Sequence, residues 1–254
     1  MSYILSVITV TRNCEKTIAR TLESVRKIKC TDIEYIVVDG ASTDSTISIV
    51  GQFHDVIDTF ISERDNGIYD AMNKGAALAK GEYVLFLNGD DYLLSDGFKN
   101  ALSILRNERP EILSCRSEVI SEAGESLRLL QLSTWRLIFF NTVPHLSTFV
   151  RTELQRKYRF RGEFKIAADY DLFLRLLLDR HPFSSAGVTI ATHFRGGFSS
   201  NISQSILECR KIRRVNLGVV IYVVTRMLEE ANQLVNSALN MARRAFRCVK
   251  GSTP

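Results

Sequence analysis

The sequence predicts an α/β fold: a mostly parallel, Rossmann-like sheet flanked by helices, with a C-terminal helical appendage. Three observations carry that prediction. Short continuous apolar runs alternate with helix-spaced apolar residues through the first hundred positions, the pattern of βαβ units with strands buried on both faces. Polar residues gather where those runs stop, at Thr11-Arg12-Asn13, Asp39 and Asn88–Asp91. From about Ile202 the chain reads as two helices, with no proline before Pro254.

Taken in order, Ile4–Val10 is the first buried strand, and Ile18, Leu22, Val25 and Ile28 then recur at helical spacing. Tyr35–Val38 is a second strand, ended by Asp39-Gly40. Ser42 is expected to cap a helix from about Thr43, with Ile47 and Val50 on its inner face. Val56–Ser62 is a third strand, Ile68–Ala79 a helix, and Tyr83–Leu87 a fourth strand that stops at Asn88-Gly89-Asp90-Asp91. Alternation of this kind implies right-handed crossovers, and in open α/β sheets ligands bind at the carboxyl edge of the strands. After residue 110 the pattern changes. Glu111–Ile120 and Leu127–Leu132 read as strands around an Ala123-Gly124 turn, and the basic segment Arg151–Lys165 leads to a helix starting near Ala168. Gly187–Thr192 is one more strand.

Composition narrows the class. The 254 residues are 45% hydrophobic and 24% charged, which excludes a disordered chain, a collagen and a coiled-coil rod. Five cysteines without CxxC spacing suggest neither a disulfide framework nor a structural zinc site, so a reducing, cytoplasmic compartment is expected. Met1–Val10 lacks a basic n-region, so no signal peptide is expected. No charge-free stretch approaches the roughly 20 residues that span a bilayer. Residues 201–254 hold nine Lys/Arg against three Glu, so this tail carries +6 of a net +5 and leaves −1 on the body. A basic tail on a neutral body suits an anionic partner surface.

Several motifs could carry chemistry. Asn88-Gly89-Asp90-Asp91 sets two carboxylates at a strand end, where oxygen ligands suit Mg²⁺ or Mn²⁺ shared with substrate phosphates. Taken alone, it is more commonly a solvated turn. Ala168-Asp169-Tyr170-Asp171 opens a helix whose Leu172, Leu176 and Leu177 face inward. Its carboxylates are either caps that complement the helix dipole or a general base beside an acceptor hydroxyl. Ser62–Gly75 packs polar groups and two glycines into a strand–loop–helix transition, and its Lys74 is either solvated or a phosphate partner. His193 and Arg195, ahead of Gly196-Gly197, are either structural or in reach of a diphosphate. GxGxxG, GxxxxGK[ST], HExxH and GxSxG are all missing, which argues against dinucleotide, P-loop, zinc-protease and serine-hydrolase chemistry.

Together, SVITVTRN at Ser6–Asn13, VVDGASTDST at Val37–Thr46, NGIYDAMNKG at Asn66–Gly75, GEYVLFLNGDD at Gly81–Asp91 and DYDLFLRL at Asp169–Leu176 resemble the family 2 glycosyltransferases of the GT-A fold. The resemblance covers roughly residues 3–200, and NGIYDAMNKG looks like the branch serving colanic acid and related surface polysaccharides. It implies a catalytic domain over 1–200, with a nucleotide-sugar-binding half to about 110 and an acceptor-binding half over 111–200. It also implies an inverting, divalent-cation-dependent transfer from a nucleotide-diphosphate sugar, usually a UDP-sugar. By resemblance, Asp90 and Asp91 bind the metal and Asp169 is the base. Asp39 meets the uracil, Thr11, Arg12 and Asn13 line the base pocket, and Asp65, Asn73, Lys74 and Asn88 are further contacts to the nucleotide-sugar.

The sequence departs from the family pattern at four places. Val10-Thr11-Arg12-Asn13-Cys14 replaces Pro-x-Tyr-Asn-Glu, Gly40 stands where a second Asp is common, Asn88 replaces the first carboxylate of the DxD-like motif, and Ala168 replaces a Glu. The acceptor that the resemblance implies is a saccharide on a lipid diphosphate such as undecaprenyl diphosphate, at the cytoplasmic face of the plasma membrane. The tail 201–254, with Arg213, Arg214, Arg226, Arg243, Arg244, Arg247 and Lys250 beside apolar runs, reads as a membrane-surface helix. It reads equally as a helix packed on the catalytic domain or in a homo-oligomer. A degenerate nucleotide-sugar-binding scaffold is the alternative function. A sugar-nucleotide pyrophosphorylase is disfavoured because Thr9–Glu15 holds no glycine, and nucleic acid because acidic residues crowd the site.

Overall fold

A computed structural model describes residues 3–121, 125–194, 202–228 and 230. Two compact units are resolved, Met1–Cys209 and Arg210–Pro254. In the first, nine strands among the described residues form one sheet in the order β3-β2-β1-β4-β8-β6-β9-β5, with β7 paired to β6.

β1 (Leu5–Thr11), β2 (Ile33–Asp39), β3 (Thr59–Ser62) and β4 (Tyr83–Asn88) run parallel. Every residue of β1 and β2 is buried, as a central parallel strand covered on both faces requires. Leu5 and Val7, Tyr35 and Val37, and Leu85 and Leu87 share one core with α1 (Ile18–Arg26) and α4 (Ser95–Glu108). On the opposite face α3 (Ile68–Leu78) packs against β1 and β2. A Cβ on its Gly75 would stand 2.4 Å from Ile8 Cγ2, so glycine permits that close approach.

The second half is mixed. β8 (Thr148–Arg151) lies antiparallel to both β4 and β6 (Ile112–Ile120), while β9 (Phe183–Phe194) runs parallel to β6 and antiparallel to the short β5 (Tyr92–Leu93). β7 (Ser126–Leu130) forms the expected hairpin with β6, and the Ala123-Gly124 turn lies outside the described residues. The short α5 (Thr134–Leu137) precedes β8, α6 (Thr152–Tyr158) follows it, and α7 (Ala168–Leu178) begins where the sequence places it. α8 (Ile202–Asn216) opens the C-terminal stretch, and residues 219–228 are helical.

Two local expectations change. α2 (Thr46–Gly51) begins three residues later than Thr43, because Ser42 turns back to Asp39 through both its N–H and its hydroxyl instead of capping a helix. Val50 is buried as expected, but Ile47 is 37% exposed. The segment read as basic, Arg151–Lys165, contains α6. Its Arg156 donates to the carbonyls of Ala76 and Ala77 and to Ala79 O at the end of α3, so part of that charge holds a helix terminus.

Candidate active site

The strand register builds one polar edge. Thr11 lies beside Asp39, Asp39 beside Ser62, and Asn88 beside Val10, so the ends of all four parallel strands meet in a row. Asp39 is fully buried and accepts from Ser42 N (2.9 Å), Ser62 Oγ (2.7 Å) and the Ser42 hydroxyl. Asn13 sits at φ +52°, a left-handed conformation that asparagine tolerates. Its backbone N–H donates to Ser42 Oγ (2.8 Å), and its side-chain Oδ1 accepts from Thr43 N (2.9 Å). Asp39 and Asn13 thus stitch the loops after β1 and β2 into one surface, leaving Arg12 exposed upon it.

Gly40 explains itself here. A Cβ at that position would lie 2.2 Å from Asp65 Oδ2 and 3.2 Å from Arg12 Cδ, so the absent side chain leaves room for the Asp65 carboxylate. Asp65 Oδ1 accepts from Gly67 N (2.9 Å), which fixes its direction. A carboxylate therefore stands next to Gly40, where the family pattern would place its second Asp, but it arrives from the loop after β3.

Asn73 and Lys74 lie on α3. Both polar atoms of the Asn73 amide engage the Phe160 backbone: Nδ2 donates to its O (2.9 Å) and Oδ1 accepts from its N (3.0 Å). Lys74 Nζ pairs with Glu63 (2.8 Å), lies 3.6 Å from Asp70 and donates to Arg64 O. The bond to Glu63 holds the ammonium pKa above its ordinary value.

At Asn88–Asp91, α1 supplies a feature that the sequence reading does not list among site residues. Thr17 Oγ1 donates to Gly89 O (2.9 Å), Arg20 Nη2 to Asp90 O (2.9 Å) and Thr21 Oγ1 to Asp91 O (2.6 Å). Ser24 Oγ then accepts from Leu93 N (3.1 Å). Residues 17, 20, 21 and 24 form one helical stripe, so α1 grips the backbone of the acidic turn while leaving its side chains to other partners. The spacing was visible in the sequence; the carbonyls it meets were not.

Asp91 is buried, with Oδ2 accepting from Asn88 Nδ2 (2.9 Å), whereas Asp90 is half-buried. Asn88 Oδ1 and Thr11 Oγ1 are buried oxygens with no hydrogen-bond partner among the described residues. No group of three His, Cys, Asp or Glu side chains among the described residues could hold a metal. This donor set does not make a closed protein cage. It fits a hard cation that takes one or two carboxylates and completes its shell with substrate phosphates.

Asp169 stands at the start of α7, half-buried, between two buried neighbours. Tyr69 Oη donates to Ile166 O (2.8 Å) and lies 3.3 Å from Asp169 Oδ1, while Asn141 Nδ2 donates to Asp169 Oδ2 (3.2 Å). Burial, and then the charge of Asp169, push the Tyr69 phenol well above its ordinary value, so it remains a donor. Asp171 is different: it is fully buried and paired with Arg175 (2.8 Å) and Arg161 (3.3 Å). Of the two acids, Asp169 is the one placed for solvent-side chemistry.

Two imidazoles connect the clusters. Burial lowers the pKa of His145, opposed by the charge of Asp169. Burial likewise lowers that of His193, aided by His145 and opposed by Asp90. His145 Nε2 and His193 Nδ1 are buried without a hydrogen-bond partner among the described residues. Arg195 and Gly196-Gly197 lie outside the described residues, as do Arg243, Arg244, Arg247 and Lys250 of the tail.

Known proteins place this arrangement. A 31% identical relative, a PGL/p-HBAD biosynthesis glycosyltransferase of Mycobacterium bovis, aligns over 180 residues, 69% of this chain and 66% of its own length. The poly(ribitol-phosphate) β-N-acetylglucosaminyltransferase TarS of Staphylococcus aureus is 31% identical over 124 residues, 47% of this chain and 22% of the relative. The chain thus spans just under two thirds of the mycobacterial relative. Among solved structures, S. aureus TarS 1–349 in complex with UDP-GlcNAc matches with TM-score 0.68 at 23% identity, covering 82% of this chain and 65% of that one. A mannosyltransferase from Pyrobaculum calidifontis, in complex with GDP-Man and Mn²⁺, matches with TM-score 0.62 at 16% identity over 95% of this chain and 81% of that one. These likenesses confirm the GT-A fold. The family model described as glycosyl transferase family 2 matches residues 6–170, and the chain belongs to that family.

Proposed function

We propose that the chain is an inverting, divalent-cation-dependent glycosyltransferase that moves a sugar from a UDP-sugar to a lipid-diphosphate-linked saccharide in surface-polysaccharide assembly. The observation that supports this best is the pairing of two differently held acids: Asp90 on a turn clamped by α1, and Asp169 on a helix end bracketed by Tyr69 and Asn141. The relatives support it in kind, since one is named a PGL/p-HBAD biosynthesis glycosyltransferase and a solved neighbour is in complex with UDP-GlcNAc.

In this reading the loops joined by Asp39 and Asn13 receive the nucleotide, with Thr11 at their base and Arg12 and Asp65 presenting charge to it. Asn73 and Lys74 hold the neighbouring wall through Phe160 and Glu63. Asp90 is the principal metal-binding carboxylate, with Asn88 Oδ1 beside it, and Asp91 orients Asn88. A bound Mn²⁺ or Mg²⁺ would supply positive charge for the diphosphate leaving group. Asp169 takes the proton from the acceptor hydroxyl as that oxygen forms a bond to the anomeric carbon. The bond from that carbon to the diphosphate breaks, and UDP departs with the electron pair. The proposed step parallels that of the base in an inverting hydrolase, with a sugar hydroxyl in place of water.

The basic tail is proposed to lie on the cytoplasmic membrane face near the lipid-linked acceptor. No helix among the described residues is long and apolar enough to cross a membrane. Calorimetric titration of UDP with and without Mn²⁺ tests the core of this reading. Metal-dependent binding in the wild type that disappears in Asp90→Ala is expected. UDP binding that ignores both the metal and the substitution would overturn it. A screen of UDP-GlcNAc, UDP-glucose and UDP-galactose then seeks the donor.

A further inference from the structure

We infer that Glu208 is a positioning residue for Asp169, anchoring from a separate helix the turn that carries the base. The inference rests on the assignment of Asp169 as base. The N-cap of α7 is Ala167, which has no side-chain oxygen, and within the first turn Asp169 Oδ1 accepts from Tyr170 N (2.8 Å). Exposed N–H groups at a helix start need acceptors. Glu208, on α8, supplies one to the Ala167 N-cap and two more to the peptides just before it. Its Oε1 accepts from Lys165 N (2.9 Å), and its Oε2 accepts from Ile166 N (2.8 Å) and Ala167 N (3.0 Å). Three successive N–H groups thus converge on one carboxylate, the geometry of a backbone anion nest, at the positive end of the α7 dipole.

The same peptides are held from the other side. Ile166 O accepts from Tyr69 Oη (2.8 Å), and Lys165 Nζ donates to Asn66 O (3.2 Å). Ile166 is therefore gripped at its N–H by Glu208 and at its C=O by the phenol that also approaches Asp169. Removing Glu208 leaves three N–H groups without their acceptor and frees one side of the grip. Displacing a base by about 1 Å can lower turnover on the order of 100-fold. Among the described residues, the hydrogen bonds of Glu208 go to the 165–167 backbone and none to the strand ends of β1, β2 and β4, so donor binding should not change with it.

Glu208→Ala, Glu208→Asp and Glu208→Gln, with Asp169→Asn alongside, test this in the full chain. Turnover is measured with whichever UDP-sugar the screen identifies, UDP affinity by calorimetry with Mn²⁺, and amide exchange over residues 165–169 and 88–91. In Glu208→Ala, kcat should fall about 10- to 100-fold with donor KM and UDP affinity unchanged, and amides 165–169 should exchange faster while 88–91 do not. Glu208→Gln, which keeps an acceptor oxygen, should recover part of kcat. An unchanged kcat, or kcat and UDP affinity falling together, would overturn the inference. Should the alanine variant fail to fold, Glu208→Gln is read by the same split. If no UDP-sugar turns over, unchanged exchange at 165–169 in Glu208→Gln overturns it. Asp169→Asn at wild-type turnover would sink the base assignment and this inference with it. Loss of activity in Asp169→Asn with wild-type behaviour in every Glu208 variant would sink this inference alone.

Discussion

The strand-end edge and the base end are built in opposite ways. Along β1, β2, β3 and β4 the polar residues are placed by the strands themselves: register sets Thr11 beside Asp39 and Asp39 beside Ser62, and local bonds from Ser42 fix the carboxylate. Asp169 takes one local bond, from Tyr170 N to its Oδ1 (2.8 Å), and is otherwise bracketed by segments far away in the chain, Tyr69 on α3 and Asn141 in the loop before β8. One end is a consequence of secondary structure, and the other of tertiary packing. Damage at the first should therefore show in nucleotide and metal binding, and damage at the second in turnover.

The sharpest break of that comparison is Asp169→Asn. Removing a general base typically lowers rate by about 10²- to 10⁴-fold, and turnover should fall within that range while UDP affinity in Mn²⁺ stays at the wild-type value. Asp171→Asn, two residues on, should do something else. Asp171 is fully buried between Arg161 and Arg175, and Arg175 also donates to Tyr158 O and Arg159 O. Leaving buried guanidinium charge without its partner costs about 3–5 kcal/mol, so thermal unfolding should drop strongly. Should Asp171→Asn keep its Tm and lose turnover, the roles of the two acids are reversed.

The same contrast governs what could be read from the sequence. Period and strand ends revealed β1, β2, β4, α1 and α3, because a strand buried on both faces must be apolar throughout and must stop at polar residues. The four helical positions Thr17, Arg20, Thr21 and Ser24 were equally periodic, yet nothing in the sequence says which carbonyls they meet. Phe98, Ala101, Leu102 and Leu105 are all buried on α4, and their helical spacing is equally legible in the sequence. Ser42 looked like a cap because its type suits one; Asp39, fixed by register, competes for it and wins. Glu208 and Asn141 carry no local signature at all, since an acid or amide in a polar segment acquires its role only when the chain folds back.

A smaller effect probes how α1 grips the acidic turn Asn88–Asp91, the proposed metal site. Thr21→Val keeps the side-chain shape but removes the donor to Asp91 O, a buried bond of 2.6 Å. An unsatisfied buried carbonyl costs about 1–3 kcal/mol. Stability should fall by about that amount, and the Mn²⁺ concentration for half-maximal UDP binding should rise. Unchanged Mn²⁺ dependence would mean that the turn holds its geometry without α1.

The smallest expected effect lies between the two clusters. His145 faces Asp169 of α7, His193 of β9 and the Phe86 ring of β4, 6.4 Å away between centroids. Burial lowers its pKa from 6.5, and the Asp169 charge only partly opposes this. The folded state therefore binds a proton less readily than the unfolded chain. Its stability contribution is complete above pH 6.5 and declines as pH falls below that value, because the unfolded state takes up the proton first. His145→Gln should flatten the acid side of the Tm profile below pH 6.5 relative to the wild type. A variant profile parallel to the wild type would show that carboxylates elsewhere set the acid limb. In that case the imidazole between the two acids is silent in stability, and only its effect on turnover would remain to be measured.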